Sequence, residues 1–304
     1  MQSLIGRIDM EHSETVAILT IDQLVESTGR LLAMSRVVGE VLKLLDNSNS
    51  TQVAIANCLA KDPALVVMLL RLANSPAFAA ARHVDSVERA LTILGREQVR
   101  RLIIAGAITR ASDRLPTQHL IPLETFWRHS AYCAVIARLL AEADGRTKSL
   151  SSTVFLGGLL HDLGHLVLFS HNPDESERAF LSCLTAPAMI SPEAAETAEL
   201  GFNHAELGGA LAEHWGLPTV LCAILQFHHA PLSAPPEHQL AVSLVHLANT
   251  GAHLAELDSR DWDDAPPVDP PVWAFTQLQP QVLLDVLEAA QYQVLAVEAL
   301  RDPS

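Results

Sequence analysis

Apolar residues recur at helical spacing along most of this chain, and no segment alternates with the period of two that is typical of a strand. Leu65, Met68 and Leu72 form one such stripe, directly after Asp62-Pro63, a pair that commonly begins a helix. Aromatic residues make up only 5% of the chain, and its apolar residues are mainly Leu, Ala, Val and Ile. Because this mixture favours helices packed on helices, the sequence predicts an all-α fold.

Changes in composition divide the 304 residues into four predicted parts. Residues 1–22 form a mixed N-terminal extension, and residues 23–120 form a first helical subdomain in which Gly95 ends one helix before another begins. Residues 121–257 form a second helical subdomain. Residues 258–304 combine an acidic, proline-rich loop with a final amphipathic helix.

The net charge of -15 disfavours direct binding to nucleic acid, because an acidic surface repels phosphate backbones. No run reaches the roughly 18 apolar residues of a membrane span, and the N-terminus lacks the charged-then-apolar order of a signal peptide. Cys58, Cys133, Cys183 and Cys222 are widely spaced and form no CxxC motif, which indicates reduced thiols. We therefore expect a cytoplasmic protein that binds neither nucleic acid nor membranes.

Histidine is unusually concentrated, since 11 of the 14 histidines lie between His129 and His253. Within this region His161-Asp162 offers a nitrogen and an oxygen ligand from adjacent positions, which suits a divalent metal such as Zn, Mn or Fe. Alternatively, Asp162 could accept a hydrogen bond from an imidazole and fix its tautomer. His165 lies four residues after His161, on the same face if the helix continues.

Further histidines interrupt helical segments that otherwise look like core: His129, His204 and the pair His228-His229. Each could simply cap a helix or bond a backbone carbonyl on its own. Burying several imidazoles is costly, however, unless they share partners or a metal. The alternative prediction is therefore that these side chains converge with His161-Asp162 into one polar pocket.

The order His129, His161-Asp162, His204 and His228-His229 resembles the HD superfamily of metal-dependent phosphohydrolases. More specifically, the chain resembles the HDOD family (HD-related output domain) over about residues 24 to 295. The motifs that carry this second resemblance are Ala60 to Leu65, Leu70 to Ser75, Ser86-Val87 through Ala90, Leu94-Gly95, Phe126 to Ser130 and His214 to Pro218.

The resemblance implies a multi-helix HD-like bundle at residues 121–257, with an N-terminal helical subdomain before it. It implies a role in bacterial signal transduction, often beside receiver or cyclic-dinucleotide domains. It also implies a divalent metal, Fe, Mn or Zn. The implied ligands are His129, His161, Asp162, His204, His228 and His229.

Three departures from the HD enzymes bear on catalysis. Asn249 matches their last metal-binding aspartate, and a neutral amide is a weaker ligand that does not offset the metal's charge. His165 stands where a lysine is often found. Ala230-Pro231-Leu232 follows His229, so the Gly-Tyr-Pro signature of the cyclic-di-GMP-cleaving branch is missing.

These departures favour a non-catalytic regulatory module that acts through protein contacts or a small phosphorylated ligand. The alternative is a metal-dependent phosphodiesterase in which His165 or His228 assists proton transfer. His246 and Asn249 share a polar stripe on an apolar helix, and we expect both to face the pocket.

An arginine-rich stretch could bind phosphate or an acidic partner, but a solvated helix face paired with nearby acids is the preferred interpretation. Its members are Arg96, Arg100, Arg101, Arg110 and Arg114. A helix-turn-helix in this region is disfavoured, because residues 102–108 are too apolar to lie in a DNA groove.

Overall fold

The computed structural model describes residues 18–31, 36–74, 83–112, 115, 120–143, 145–185 and 190–298. Within these ranges every regular element is helical and no strand is present, which confirms the all-α prediction. Residues 1–17 of the predicted extension lie outside the described part, as do Ser75 and Arg114.

The helices of the first half are α1 (Ile21–Leu31), α2 (Arg36–Asp46), α3 (Gln52–Leu59), α4 (Pro63–Asn74) and α5 (Val87–Ser112). Those of the second half are α6 (Leu123–Ala143), α7 (Ser151–Leu160), α8 (Leu163–His171), α9 (Pro173–Thr185), α10 (Pro192–Leu200), α11 (His204–His214), α12 (Thr219–Phe227), α13 (Gln239–Glu256), α14 (Pro270–Thr276) and α15 (Pro280–Glu298). Short 3-10 turns occur at Lys148–Leu150, Pro231–Ser233 and Trp262–Asp264.

Local signals in the sequence explain two of the helix boundaries. The Asp62 carboxylate accepts a hydrogen bond from the Leu65 backbone N–H at 3.1 Å, while Pro63 occupies the first turn of α4. Gly95 has a φ of 80°, which interrupts the helical backbone inside α5. The two predicted helices on either side of Gly95 are therefore the two halves of α5.

The cap at Asp62 should contribute measurably to stability, because its carboxylate also pairs with Arg110 at 3.2 Å. We expect Asp62→Ala to lower the free energy of unfolding by about 1–2 kcal/mol. Asp85→Ala, which removes only an exposed ion pair to Arg89, should cost less. Urea denaturation of both variants measures the difference, and equal losses would contradict the assignment.

Four of the five predicted arginines are engaged within the fold. Arg96 donates hydrogen bonds to the carbonyls of Leu45, Asn47 and Ser50 and so caps the end of α2. The other contacts are Arg100 to Asp46, Arg101 to Glu97 and Thr153, and Arg110 to Asp62. These contacts support the interpretation of the stretch as an internally paired helix face.

The larger of two hydrophobic clusters in the described chain runs through both halves, from Val38 to Val294. Helix α6 lies at its centre and packs against α7, α13 and the C-terminal helix α15. Helix α1 packs against α11 and α8, far from it in sequence. The subdomain boundaries themselves stay a prediction.

Among the described residues, one helical stretch has the length and mean hydropathy of a membrane span, namely Lys148–His171. The sequence contains no uninterrupted apolar run of this length. The mean hydropathy of Lys148–His171 is nevertheless high, because its strongly apolar residues outweigh the polar ones between them. In the fold, 78% of its most apolar window is buried against other helices. Its apolar character is accounted for by its place in the core.

Candidate metal centre

The six predicted ligands and Asn249 come together where α6, α11, α13 and the ends of α7 and α12 meet. His129 lies on α6, and His161-Asp162 occupies the break between α7 and α8. His204 is the first residue of α11, and His228-His229 directly follows α12. Residues that are separate in sequence therefore form one cluster, in which His161, His204 and His228 are almost completely buried.

The Asp162 carboxylate is the centre of this cluster, because each of its oxygens faces a different pair of imidazoles. Oδ2 lies 3.2 Å from His161 Nε2 and 3.7 Å from His129 Nε2. Oδ1 lies 3.4 Å from His228 Nε2 and 3.6 Å from His204 Nε2. Asp162 is thus shared by two sets of nitrogen atoms.

Backbone carbonyls orient two of these imidazoles. The Nδ1 of His161 lies 2.8 Å from the Gly158 oxygen, and the Nδ1 of His228 lies 3.0 Å from the Leu225 oxygen. Because a carbonyl can only accept, each Nδ1 must donate its hydrogen. In a neutral ring the Nε2 lone pair then faces Asp162, which is the arrangement that metal-binding histidines use.

The donor set fits a divalent cation. His161 Nε2 is buried and makes no hydrogen bond, although Asp162 Oδ2 lies 3.2 Å away. One ligand atom from each of Asp162, His204, His228 and His229 lies within 4.8 Å of the others, and the same holds for His129, His161 and Asp162. Imidazole nitrogens combined with a carboxylate suit Zn, Mn or Fe.

Electrostatics also favour a cation at Asp162. Burial lowers the pKa of His161, but the Asp162 carboxylate outweighs it and raises that pKa well above its usual value. Burial alone would raise the pKa of Asp162, yet His161 holds it well below its ordinary range. Burial lowers the pKa of His228 to about 4 and depresses that of His229 further, so both rings are neutral at pH 7.

Two side chains contact the His129 ring, one at each nitrogen. Its Nε2 lies 2.9 Å from Asn249 Oδ1, and its Nδ1 lies 3.1 Å from Glu256 Oε2. Asn249 therefore reaches the edge of the cluster, as the resemblance implies. Glu256 and the neighbouring His253 ring, whose centroid is 4.8 Å from that of His129, were not predicted to take part.

The predicted proton-transfer residue His165 takes part in neither set around Asp162. Its ring stacks on His204 with centroids 3.7 Å apart, and its Nδ1 lies 2.9 Å from Glu196 Oε1. Sequence reasoning missed Glu196, because Glu193, Glu196 and Glu199 recur every three residues like a solvated helix face.

His246 lies beside the cluster and contacts the backbone rather than Asp162. Its Nδ1 lies 2.7 Å from the His228 oxygen, while its Nε2 is buried without a hydrogen bond. His246 thus supports the loop that carries His228 and His229. Its expected place facing the pocket remains a prediction.

Residues 31–231 match the family model of the HDOD domain, which is most of the chain. The chain belongs to the HDOD family. An uncharacterized protein of Treponema pallidum (strain Nichols) is 29% identical over 213 residues, which cover 69% of this chain. The chain spans only 40% of the length of that relative.

Two solved structures share the fold of this chain. A protein from Shewanella amazonensis SB2B, described as a candidate phosphohydrolase, superposes with a TM-score of 0.70 and 23% identity, over 92% of this chain and 98% of its own. An HDOD domain protein of unknown function from Geobacter sulfurreducens superposes with a TM-score of 0.67 and 23% identity, over 92% and 99%. At this identity the likeness establishes the fold alone.

Proposed function

We propose that this HDOD protein is a cytoplasmic bacterial signalling module that holds a divalent metal at Asp162 and binds a small phosphorylated ligand without hydrolysing it. The observation that carries the proposal is the position of Asp162 between two sets of imidazole Nε2 atoms. The partners that we expect are signalling proteins such as receiver or cyclic-dinucleotide domains. The greater length of the Treponema pallidum relative is consistent with such neighbours.

The charge of the cluster supports a phosphorylated ligand. Asp162 is the only carboxylate among the predicted metal ligands, and the others are imidazoles. One divalent cation would therefore leave a net positive charge on the metal and its predicted ligands alone, and Glu196 and Glu256 contact two of the ligand rings from outside that set. Asn249 preserves that charge where the HD enzymes carry an aspartate, and a phosphate group would offset it.

Two contacts argue for binding rather than turnover. His228 is fully buried and its Nδ1 is engaged by Leu225, so this ring has no open route to solvent for a proton. His165 is stacked on His204, and its Nδ1 faces the Glu196 carboxylate 2.9 Å away, so this ring is positioned beside a ligand rather than beside Asp162. Each candidate for proton transfer thus has a structural role.

A metal-dependent phosphohydrolase is the second candidate, and one observation favours it. The two donor sets that share Asp162 are an arrangement able to hold two divalent ions, and paired ions stabilise charge in phosphoryl transfer. In that case the raised pKa of His165, which Glu196 maintains against the lowering effect of burial, would allow this ring to donate a proton.

Turnover of a chromogenic phosphodiester, bis(p-nitrophenyl) phosphate, distinguishes the two functions. The protein should be purified without chelators and assayed with Mn, Fe or Zn. We expect stoichiometric metal, saturable binding of inorganic phosphate by calorimetry, and no turnover above that of His161→Ala. Turnover that disappears in His161→Ala would overturn the non-catalytic proposal.

Asn249→Asp tests the charge argument. A carboxylate beside His129 Nε2 should raise metal affinity and weaken phosphate binding, each by at least about tenfold, because it neutralises one positive charge within a few ångströms. Asn47→Asp adds the same charge on an exposed turn and should change neither affinity. Calorimetric titration of both variants measures the effect, and unchanged phosphate affinity in Asn249→Asp would contradict the argument.

A further inference from the structure

Glu196 is a buried carboxylate outside the predicted ligand set, and it contacts the cluster from α10. Only 4% of its surface is exposed. Its Oε2 accepts hydrogen bonds from the His204 backbone N–H at 2.8 Å and from His204 Nδ1 at 2.7 Å. Its Oε1 lies 2.9 Å from His165 Nδ1. One side chain therefore fixes the backbone and the ring of His204 and also reaches the neighbouring ring.

The turn between α10 and α11 allows this contact. Gly201 ends α10 with a φ of 83°, in the left-handed region that favours glycine, and Asn203 caps α11. The chain therefore reverses within a few residues, which brings the first residue of α11 back beside α10. Glu196 can then reach His204, eight residues ahead of it.

The hydrogen bond determines which nitrogen of His204 can bind a metal. A carboxylate only accepts, so His204 Nδ1 must carry the hydrogen. In the neutral ring the lone pair is then on Nε2, the atom that faces Asp162 Oδ1, His228 and His229. Without Glu196 the opposite tautomer would place a hydrogen where the ligand lone pair must be.

We propose that Glu196 is a positioning residue of the metal centre, which holds His204 in the Nδ1–H tautomer and keeps the His165 ring stacked against it. This inference deepens the proposed function and rests on it. Glu196, His165 and His204 could themselves form a three-ligand group. Glu196 Oε2 instead accepts hydrogen bonds from both His204 Nδ1, at 2.7 Å, and the His204 backbone N–H, which marks Glu196 as a hydrogen-bond acceptor rather than a ligand.

Glu196→Gln tests the positioning role with Zn²⁺ alone as the probe, since the amide keeps the shape but cannot accept all three contacts. We expect its Zn²⁺ affinity, measured by competition with a chromogenic chelator, to fall by about 10–100-fold. Glu199→Gln is the matched control. It lies on the same helix but pairs with Arg178 at the surface, so it should bind Zn²⁺ as the wild type does.

The tautomer of His204 is measured independently in the metal-free wild type, by long-range ¹H–¹⁵N correlation spectra of histidine-labelled protein. We expect the Nδ1–H form, and an Nε2–H form would overturn the proposal even if Glu196→Gln fails to fold. A folded Glu196→Gln variant with unchanged Zn²⁺ affinity would overturn it as well. Absence of Zn²⁺ binding in the wild type would instead refute the proposed function, whereas the tautomer would still test Glu196.

Discussion

Replacing Asp162 with asparagine should abolish tight divalent-metal binding, with an affinity loss of more than about 100-fold. Removing a residue that only supports a metal ligand lowers metal affinity by about 10–100-fold. The loss in Asp162→Asn should be larger, because each of the two Asp162 oxygens faces one of the nitrogen sets. The amide keeps the size of the side chain but removes the only carboxylate of the predicted ligand set. Both donor sets should therefore lose affinity together.

The measurement is a Zn²⁺ titration together with elemental analysis of protein purified without chelators. Asp174→Asn is the control, because Asp174 is an exposed aspartate in the first turn of α9. It should retain the metal content of the wild type. If Asp162→Asn kept a full equivalent of tightly bound metal, the shared carboxylate could not be the centre of the site.

The second large effect concerns Gly164, two residues after Asp162. A Cβ atom at this position would lie 1.9 Å from the His204 backbone oxygen and 2.8 Å from its carbonyl carbon. Both are backbone atoms, so no side-chain rotation can relieve the overlap. Gly164→Ala must push α8 away from α11, and we expect it to lower the free energy of unfolding by about 3 kcal/mol or more.

Gly39→Ala is the matched control for this substitution. Gly39 lies inside α2, where a Cβ atom would meet nothing within 4 Å. Alanine is the better helix former, so this variant should be as stable as the wild type or more stable by up to about 1 kcal/mol. Urea denaturation with a chelator present separates folding from metal binding. A Gly164→Ala variant as stable as the wild type would show that the two helices are not in close contact.

Much of the fold could be predicted because the relevant signals are local. Asp62-Pro63 begins α4 and Gly95 interrupts α5, each for a reason that depends only on neighbouring residues. The place of α1 could not be predicted in this way. Its contacts with α8 and α11 join segments more than 130 residues apart, and no local pattern reports such packing.

In the candidate site, too, the features set by side-chain chemistry could be predicted, and those set by long-range packing could not. The chemistry of imidazole and carboxylate side chains singled out His161-Asp162 and its partners. Glu196 was missed on a polar-looking helix and Glu256 at the end of the apolar helix α13, because neither position carries a sign of the imidazole that the side chain meets. Their roles depend on the turn at Gly201 and on the packing of α13 against α6.

The most direct test of the proposed centre is an anomalous difference map from crystals of protein purified without chelators, recorded at the absorption edge of the metal found by elemental analysis. We expect a peak bonded to Asp162 and to histidine Nε2 atoms, at distances of about 2.0–2.2 Å. A well-ordered cluster with no anomalous peak at Asp162, in crystals grown from protein supplied with Mn, Fe and Zn, would contradict the assignment of a metal centre.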